Sequence, residues 1–153
     1  MFTISFALGQ DSLPRSLTAE EKTRLHEIGA NRTITDPPDS ILYAPAEFDS
    51  VAGIIFAWES YYDLLTALIK EVAEYDTAWV VVDNIGEEVS VAASLTNDGV
   101  NMDHVIFQQI STNSVWIRDY GPWWIYQPDG SRAILDLDYN RPRPQDDAYP
   151  ENL

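Results

Sequence analysis

Apolar residues fall into three short strand-like runs separated by two segments in which they recur every three or four positions. Residues 51–58, Val-Ala-Gly-Ile-Ile-Phe-Ala-Trp, and residues 78–82, Ala-Trp-Val-Val-Val, read as buried strands, because a strand covered on both faces shows a continuous apolar run rather than alternation. Residues 104–110 read as a third strand. Between the first two, Tyr61, Leu64, Leu65, Leu68, Ile69 and Val72 keep a 3.6-residue period and predict an amphipathic helix over 61–75. A shorter helix is predicted over 87–96, with Gly99 where the chain leaves it. Strand, helix, strand, helix, strand is the order of an α/β layered fold.

The flanks read differently. Thr18 stands three residues before Glu21, the spacing of a capping box, and predicts a helix over 18–30 with Leu25 and Ile28 as its apolar contacts. Residues 33–40, with Pro37-Pro38 and short polar side chains, read as loop. Two strand-like stretches, 123–126 and 132–139, are joined by Pro128-Asp129-Gly130 and predict a β-hairpin. The polar, proline-locked stretch 140–147 follows, and the chain reaches Leu153 with no pattern of a terminating helix or closing strand, so it reads as cut. At the other end, mostly apolar residues 1–9 precede Gln10-Asp11-Ser12, and Ala7-Leu8-Gly9 has the small-x-small form of a signal-peptidase site. Residues 1–16 therefore read as a signal-peptide remnant and tether ahead of one domain over 17–153, which implies export to the periplasm or outside. The alternative is an ordinary N-terminus on a cytoplasmic protein.

Composition narrows the function classes. The chain is 45% hydrophobic and carries 25 Asp and Glu against 9 Lys and Arg, a formal net charge of −16. The first figure supports a packed core, and the second disfavours nucleic acid and anionic membrane as partners. No apolar run reaches the roughly 18 residues needed to cross a bilayer. Absence of cysteine removes disulfides, thiolate metal sites and a cysteine nucleophile from these residues. His26 and His104, far apart in sequence, read as ordinary surface or core residues rather than metal ligands. Between Thr33 and Ile117 the only cation is Lys70, whereas four of seven arginines fall between Arg118 and Arg143. That cluster is either an anion-binding spot or a set of ion pairs with Asp136, Asp138, Asp146 and Asp147.

Two motifs carry candidate chemistry. In Ser114-Val115-Trp116-Ile117-Arg118-Asp119-Tyr120-Gly121-Pro122-Trp123-Trp124, a Gly-Pro turn holds an Arg-Asp pair among four aromatics. Asp119 suits a planar guanidinium, which a carboxylate can meet with paired hydrogen bonds, and Trp116 can lie along a ligand's stem or face its cation. The plain reading is that Arg118 and Asp119 pair with neighbours while the tryptophans fill core. In Asn140-Arg141-Pro142-Arg143-Pro144, the prolines predict extended backbone that turns Arg141 and Arg143 to the same side, where they could grip one carboxylate. The plain reading there is a proline-rich linker with arginines in water.

These residues resemble a known family. Trp116-Ile117-Arg118-Asp119-Tyr120-Gly121-Pro122, followed by Tyr139-Asn140-Arg141-Pro142-Arg143-Pro144-Gln145-Asp146-Asp147, is similar to the bacterial peptidylarginine and agmatine deiminases, with a further likeness from Ala46-Glu47-Phe48 to Trp58. The resemblance covers roughly residues 41–150 of this chain and the front part of a full-length member. It implies a pentein β/α-propeller, of which this chain would supply about two modules. It implies cysteine-thiolate attack on a guanidinium carbon, a histidine that moves protons, two aspartates that hold the guanidinium, and no metal or organic cofactor. Asp119 matches the first of those aspartates and Trp116 the aromatic packed on the substrate. Arg141 and Arg143 match the pair that binds the carboxylate of a C-terminal arginine. The implied partner is an arginine-containing peptide or a small guanidine, with an arginine substrate favoured over agmatine, which has no carboxylate. The cysteine, histidine and second aspartate find no counterpart here, so this chain alone is expected to be inactive.

Overall fold

The computed structural model describes residues 13–30, 36, 40, 43–46 and 48–153. The signal-peptide reading of residues 1–9 and most of the expected loop at 33–40 lie outside the described residues. Strands β1 (Ile54–Ala57), β2 (Ala78–Val82) and β3 (Val105–Gln109) form one parallel sheet in the order β1-β2-β3. Helices α1 (Tyr62–Tyr75) and α2 (Ile85–Asn97) supply the crossovers. The α/β layered fold expected from the pattern is therefore present. Register pairs Ile54 with Ala78 and Ala78 with Val105.

Alternation along β2 divides the molecule into two layers, since successive strand residues face opposite sides. Ala78, Val80 and Val82 pack with Leu65, Ile69 and Ala73 of α1 and Val91 and Leu95 of α2 in the main core. Val81 faces away and joins a second cluster with Tyr120, Tyr139 and Tyr149, flanked by Ile55, Ile110, Trp116 and Ile117. Both candidate motifs therefore pack on the sheet face that α1 and α2 leave uncovered.

Boundaries shifted where local chemistry outweighed periodicity. Helix α2 starts at Ile85, ahead of the expected 87, because the Asn84 side chain accepts from the amides of Gly86 (2.9 Å) and Glu87 (3.2 Å) as an N-cap. The first strand keeps only Ile54–Ala57 of the predicted 51–58. The helix predicted over 18–30 is instead two 3-10 turns, Glu21–Thr23 and Leu25–Glu27. Its capping box forms, with Thr18 N donating to Glu21 Oε2 (2.7 Å) and Glu21 N to Thr18 Oγ1 (3.1 Å). Few apolar contacts follow it (Leu25 is 47% exposed), too little burial to hold a short α-helix.

The hairpin is present as β4 (Trp123–Tyr126) and β5 (Arg132–Leu135), paired antiparallel, so the second strand ends four residues before the predicted 139. The expectation of extended backbone through 141–144 is corrected. Arg143 N donates to Arg141 O (2.8 Å) across a bend at Pro142, and Pro144 opens a short helix, α4 (Pro144–Asp147). Proline's fixed φ suits the first turn of a helix as well as it suits extended chain. A 3-10 turn, Pro150–Asn152, ends the chain where no terminating helical pattern was expected.

Candidate functional site

The first motif is held by a one-turn helix, α3 (Ile117–Tyr120), that leaves through Gly121 at φ 126, a backbone region open to glycine. A Cβ at Gly121 would stand 3.0 Å from Pro150 Cγ, so glycine also lets the turn approach the end of the chain. Tyr120 is buried, and its hydroxyl donates to Ser114 O (2.6 Å). Its ring meets Tyr139 and Tyr149 edge-on at 5.5 Å and 5.9 Å. Asp119, on the outer side of the same turn, keeps its side chain 32% exposed.

The second motif is bolted to the first through Asp146, which is fully buried. Its Oδ1 accepts from the amides of Asn113 (2.6 Å) and Ser114 (3.1 Å), and its Oδ2 accepts from Ser114 Oγ (2.7 Å). Burial pushes the Asp146 carboxyl up to about 6 despite these three donors. Asn113 and Gln145 add a reciprocal pair, Asn113 Nδ2 to Gln145 Oε1 and Gln145 N to Asn113 Oδ1. Asp147 Oδ1 accepts from Tyr139 N (2.6 Å) and fixes the entry to the bend.

Arg143 lies inside rather than alongside Arg141. Its side chain is 1% exposed, and its Nε donates to Glu21 Oε1 at 2.6 Å. Burial works against the Glu21 carboxylate, but the hydrogen bond from Arg143, with help from Thr18, holds its pKa below the usual range. Arg143 Nη2 donates to Pro14 O (2.6 Å), and its Nη1 is buried without a hydrogen-bond partner among the described residues. Arg141 donates from Nε and Nη2 to Arg15 O (3.1 and 3.0 Å) and from Nη1 to Asn140. The two arginines thus reach adjacent carbonyls from different depths, and they do so from a bent rather than the expected extended backbone.

The four residues singled out in the sequence meet at one place. Trp116 Nε1 donates to Leu13 O (2.9 Å), and Arg15 Nε lies 3.9 Å from Asp119 Oδ2. Trp116, Asp119, Arg141 and Arg143 therefore all contact residues Leu13, Pro14 and Arg15, part of the stretch read as a tether. A cavity of about 430 Å³ beside this place is lined by Arg141, Arg143, Asp136 and Asp138, and Trp116 and Asp119 do not border it. Trp123 and Trp124 stand apart from the cluster, 47% and 40% exposed, with Arg132 5.7 Å above the Trp124 ring. His104 Nδ1 shares a hydrogen bond with Ala73 O (2.7 Å), which ties the 3-10 turn ahead of β3 to α1.

Sequence reasoning missed Glu21 and Asp146 as site supports. Glu21 was visible only as half of a capping box, and Asp146 only as one of four possible ion-pair partners of the arginines. Glu59 was missed too. Burial raises its carboxyl to about 7, only partly opposed by the Thr112 hydroxyl at 2.7 Å. Among the described residues no group of acidic or histidine side chains could hold a metal ion, and no helix is long and apolar enough to cross a membrane.

The family of Porphyromonas-type peptidyl-arginine deiminase matches residues 43–147, a span that contains the sheet, both crossover helices and both motifs. The match defines the class as hydrolases that deiminate a guanidine group. The chain belongs to the Porphyromonas-type peptidyl-arginine deiminase family.

Proposed function

We propose that this chain carries the substrate-gripping half of a deiminase that converts a C-terminal or free arginine to citrulline and ammonia. Asp119 holds the guanidinium nitrogens, Trp116 packs along the aliphatic stem, and Arg141 and Arg143 take the carboxylate. The observation that carries this reading is the convergence of those four side chains on one three-residue stretch, with a carboxylate at one end and two guanidinium groups at the other. Bond formation requires a cysteine thiolate. Its sulfur attacks the guanidinium carbon, ammonia departs with a proton supplied by a histidine, and water then releases the ureido product and regenerates the thiolate. No cysteine exists in the 153 residues, so this chain binds and does not turn over. The wider fold is a pentein propeller, to which the β-α-β-α-β layer and the hairpin contribute about two modules. A periplasmic or extracellular setting goes with this reading.

Calorimetry on the purified chain tests it with three ligands: acetyl-glycyl-arginine, the same peptide amidated, and agmatine. Binding that needs the free carboxylate and is lost in Asp119→Asn is the expected result. Equal binding of agmatine would replace the arginine reading with an agmatine deiminase. Citrulline formation by this chain above the blank would overturn the thiolate mechanism.

A further inference from the structure

The segment in front of the matched region contacts every residue of the proposed grip. Leu13, Pro14 and Arg15 precede Tyr43, where the family match begins. Their three consecutive carbonyls accept from Trp116 (2.9 Å), Arg143 (2.6 Å) and Arg141 (3.1 and 3.0 Å). Arg15 then offers both of its ends to the site, its carbonyl to Arg141 and its guanidinium to Asp119 at 3.9 Å. An arginine substrate with a free carboxylate would present the same two ends to the same two residues. Further along, the Glu21 carboxylate meets Arg143 at 2.6 Å and anchors the segment.

We propose that residues 13–21 form a strap that occupies the guanidine site as a built-in competitor, with Arg15 as pseudosubstrate. The inference rests on the assignment of Asp119 and Arg141 as substrate-binding residues. The occupancy is reversible by construction. The Arg15 side chain is 74% exposed and its ion pair is long, so it holds weakly. No backbone–backbone hydrogen bond among the described residues involves Leu13 to Ser16, so the strap's tip is held by what it gives to the site. The Nη1 of Arg143, buried and without a hydrogen-bond partner among the described residues, marks what the strap leaves unsatisfied. Carbonyl oxygens accept fewer charge-assisted bonds than the two oxygens of a carboxylate, so a peptide ending in arginine has an acceptor advantage over the strap.

Calorimetry with acetyl-glycyl-arginine on the full chain reads the competition directly. Removing the internal competitor in Arg15→Ala should tighten binding by roughly twofold to fivefold, the range an exposed ion pair supplies. In the Asp119→Asn background, where binding is lost, Arg15→Ala should restore none of it. Limited trypsin digestion of the unaltered chain gives an independent reading: saturation with the peptide should free the Arg15 carbonyl from Arg141 and speed cleavage after Arg15, and leave cleavage after Lys70 in α1 unchanged. Equal affinity in Arg15→Ala and the unaltered chain, with no change in cleavage after Arg15, would overturn the strap and leave the site assignment standing. Absence of binding in both proteins would overturn the site assignment and the strap with it.

Discussion

At the scale of single residues, the guanidinium of Arg143 shows how a charge is kept inside an acidic protein. Water is excluded from it, so its charge must be met by a partner with matching geometry. Glu21 is that partner, with the two side chains 1% and 6% exposed. Removing one member of such a pair costs far more than the pair is worth, because the other charge stays buried alone. Glu21→Ala should therefore lower unfolding free energy by about 3 kcal/mol in urea titration. Glu21→Gln, which keeps an acceptor, should lose less. An unchanged midpoint in Glu21→Ala would mean that Arg143 reaches water when Glu21 is gone.

At the scale of elements, the sheet and its crossovers were legible because their signals are local. Val80 and Val82 lie among apolar neighbours, and Leu65 and Ile69 keep helical spacing. Either pattern can be read without knowing what packs against it. The hairpin was legible for the same reason, since Asp129 and Gly130 announce the turn. What could not be read were features that depend on distant partners. The bend at Pro142 and the helix opening at Pro144 depend on Asp146 reaching Asn113 and Ser114, more than thirty residues back. The sequence does name Trp116, Asp119, Arg141 and Arg143. Their meeting at Leu13 to Arg15 is visible only in three dimensions, because no pattern in residues 13–16 marks a binding stretch. Glycine at position 53 is another element-scale requirement that periodicity hides. Its φ is 131, and a Cβ there would stand 2.3 Å from Thr77 O, the carbonyl that accepts from Ile54 N and starts the pairing of β1 with β2. Gly53→Ala should destabilise the fold by about 2 kcal/mol or more and detach the start of β1. A thermal midpoint equal to that of the parent would show that β1 does not depend on this approach.

For the whole molecule, acidity sets the response to pH. Burial holds Asp146 up to about 6 and Glu59 up to about 7, so the folded chain binds protons that the unfolded chain has already released. Stability therefore falls as pH climbs from the ordinary carboxylate range through these values and then levels off. Glu21, held below its usual value, acts in the opposite sense, and its contribution is lost only as pH falls through its folded pKa. Self-repulsion from a net charge of −16 works in the same direction as Asp146 and Glu59. The unfolding free energy should be higher at pH 5.5 than at pH 8 by on the order of 1–3 kcal/mol. Asp146→Asn keeps an acceptor for the Asn113 and Ser114 amides and should narrow that gap. A midpoint that increases toward pH 8 would overturn the assignment. The contact between Glu21 and Arg143 joins positions 122 apart, and a ribosome makes the first long before the second. Throughout that interval the carboxylate lacks the guanidinium it meets in the folded protein, and by its end all three parallel strands have been synthesised. Closing so long a loop is the late event. The nascent chain thus builds its scaffold with the front segment still loose, and seats that segment only once Arg143 has been added.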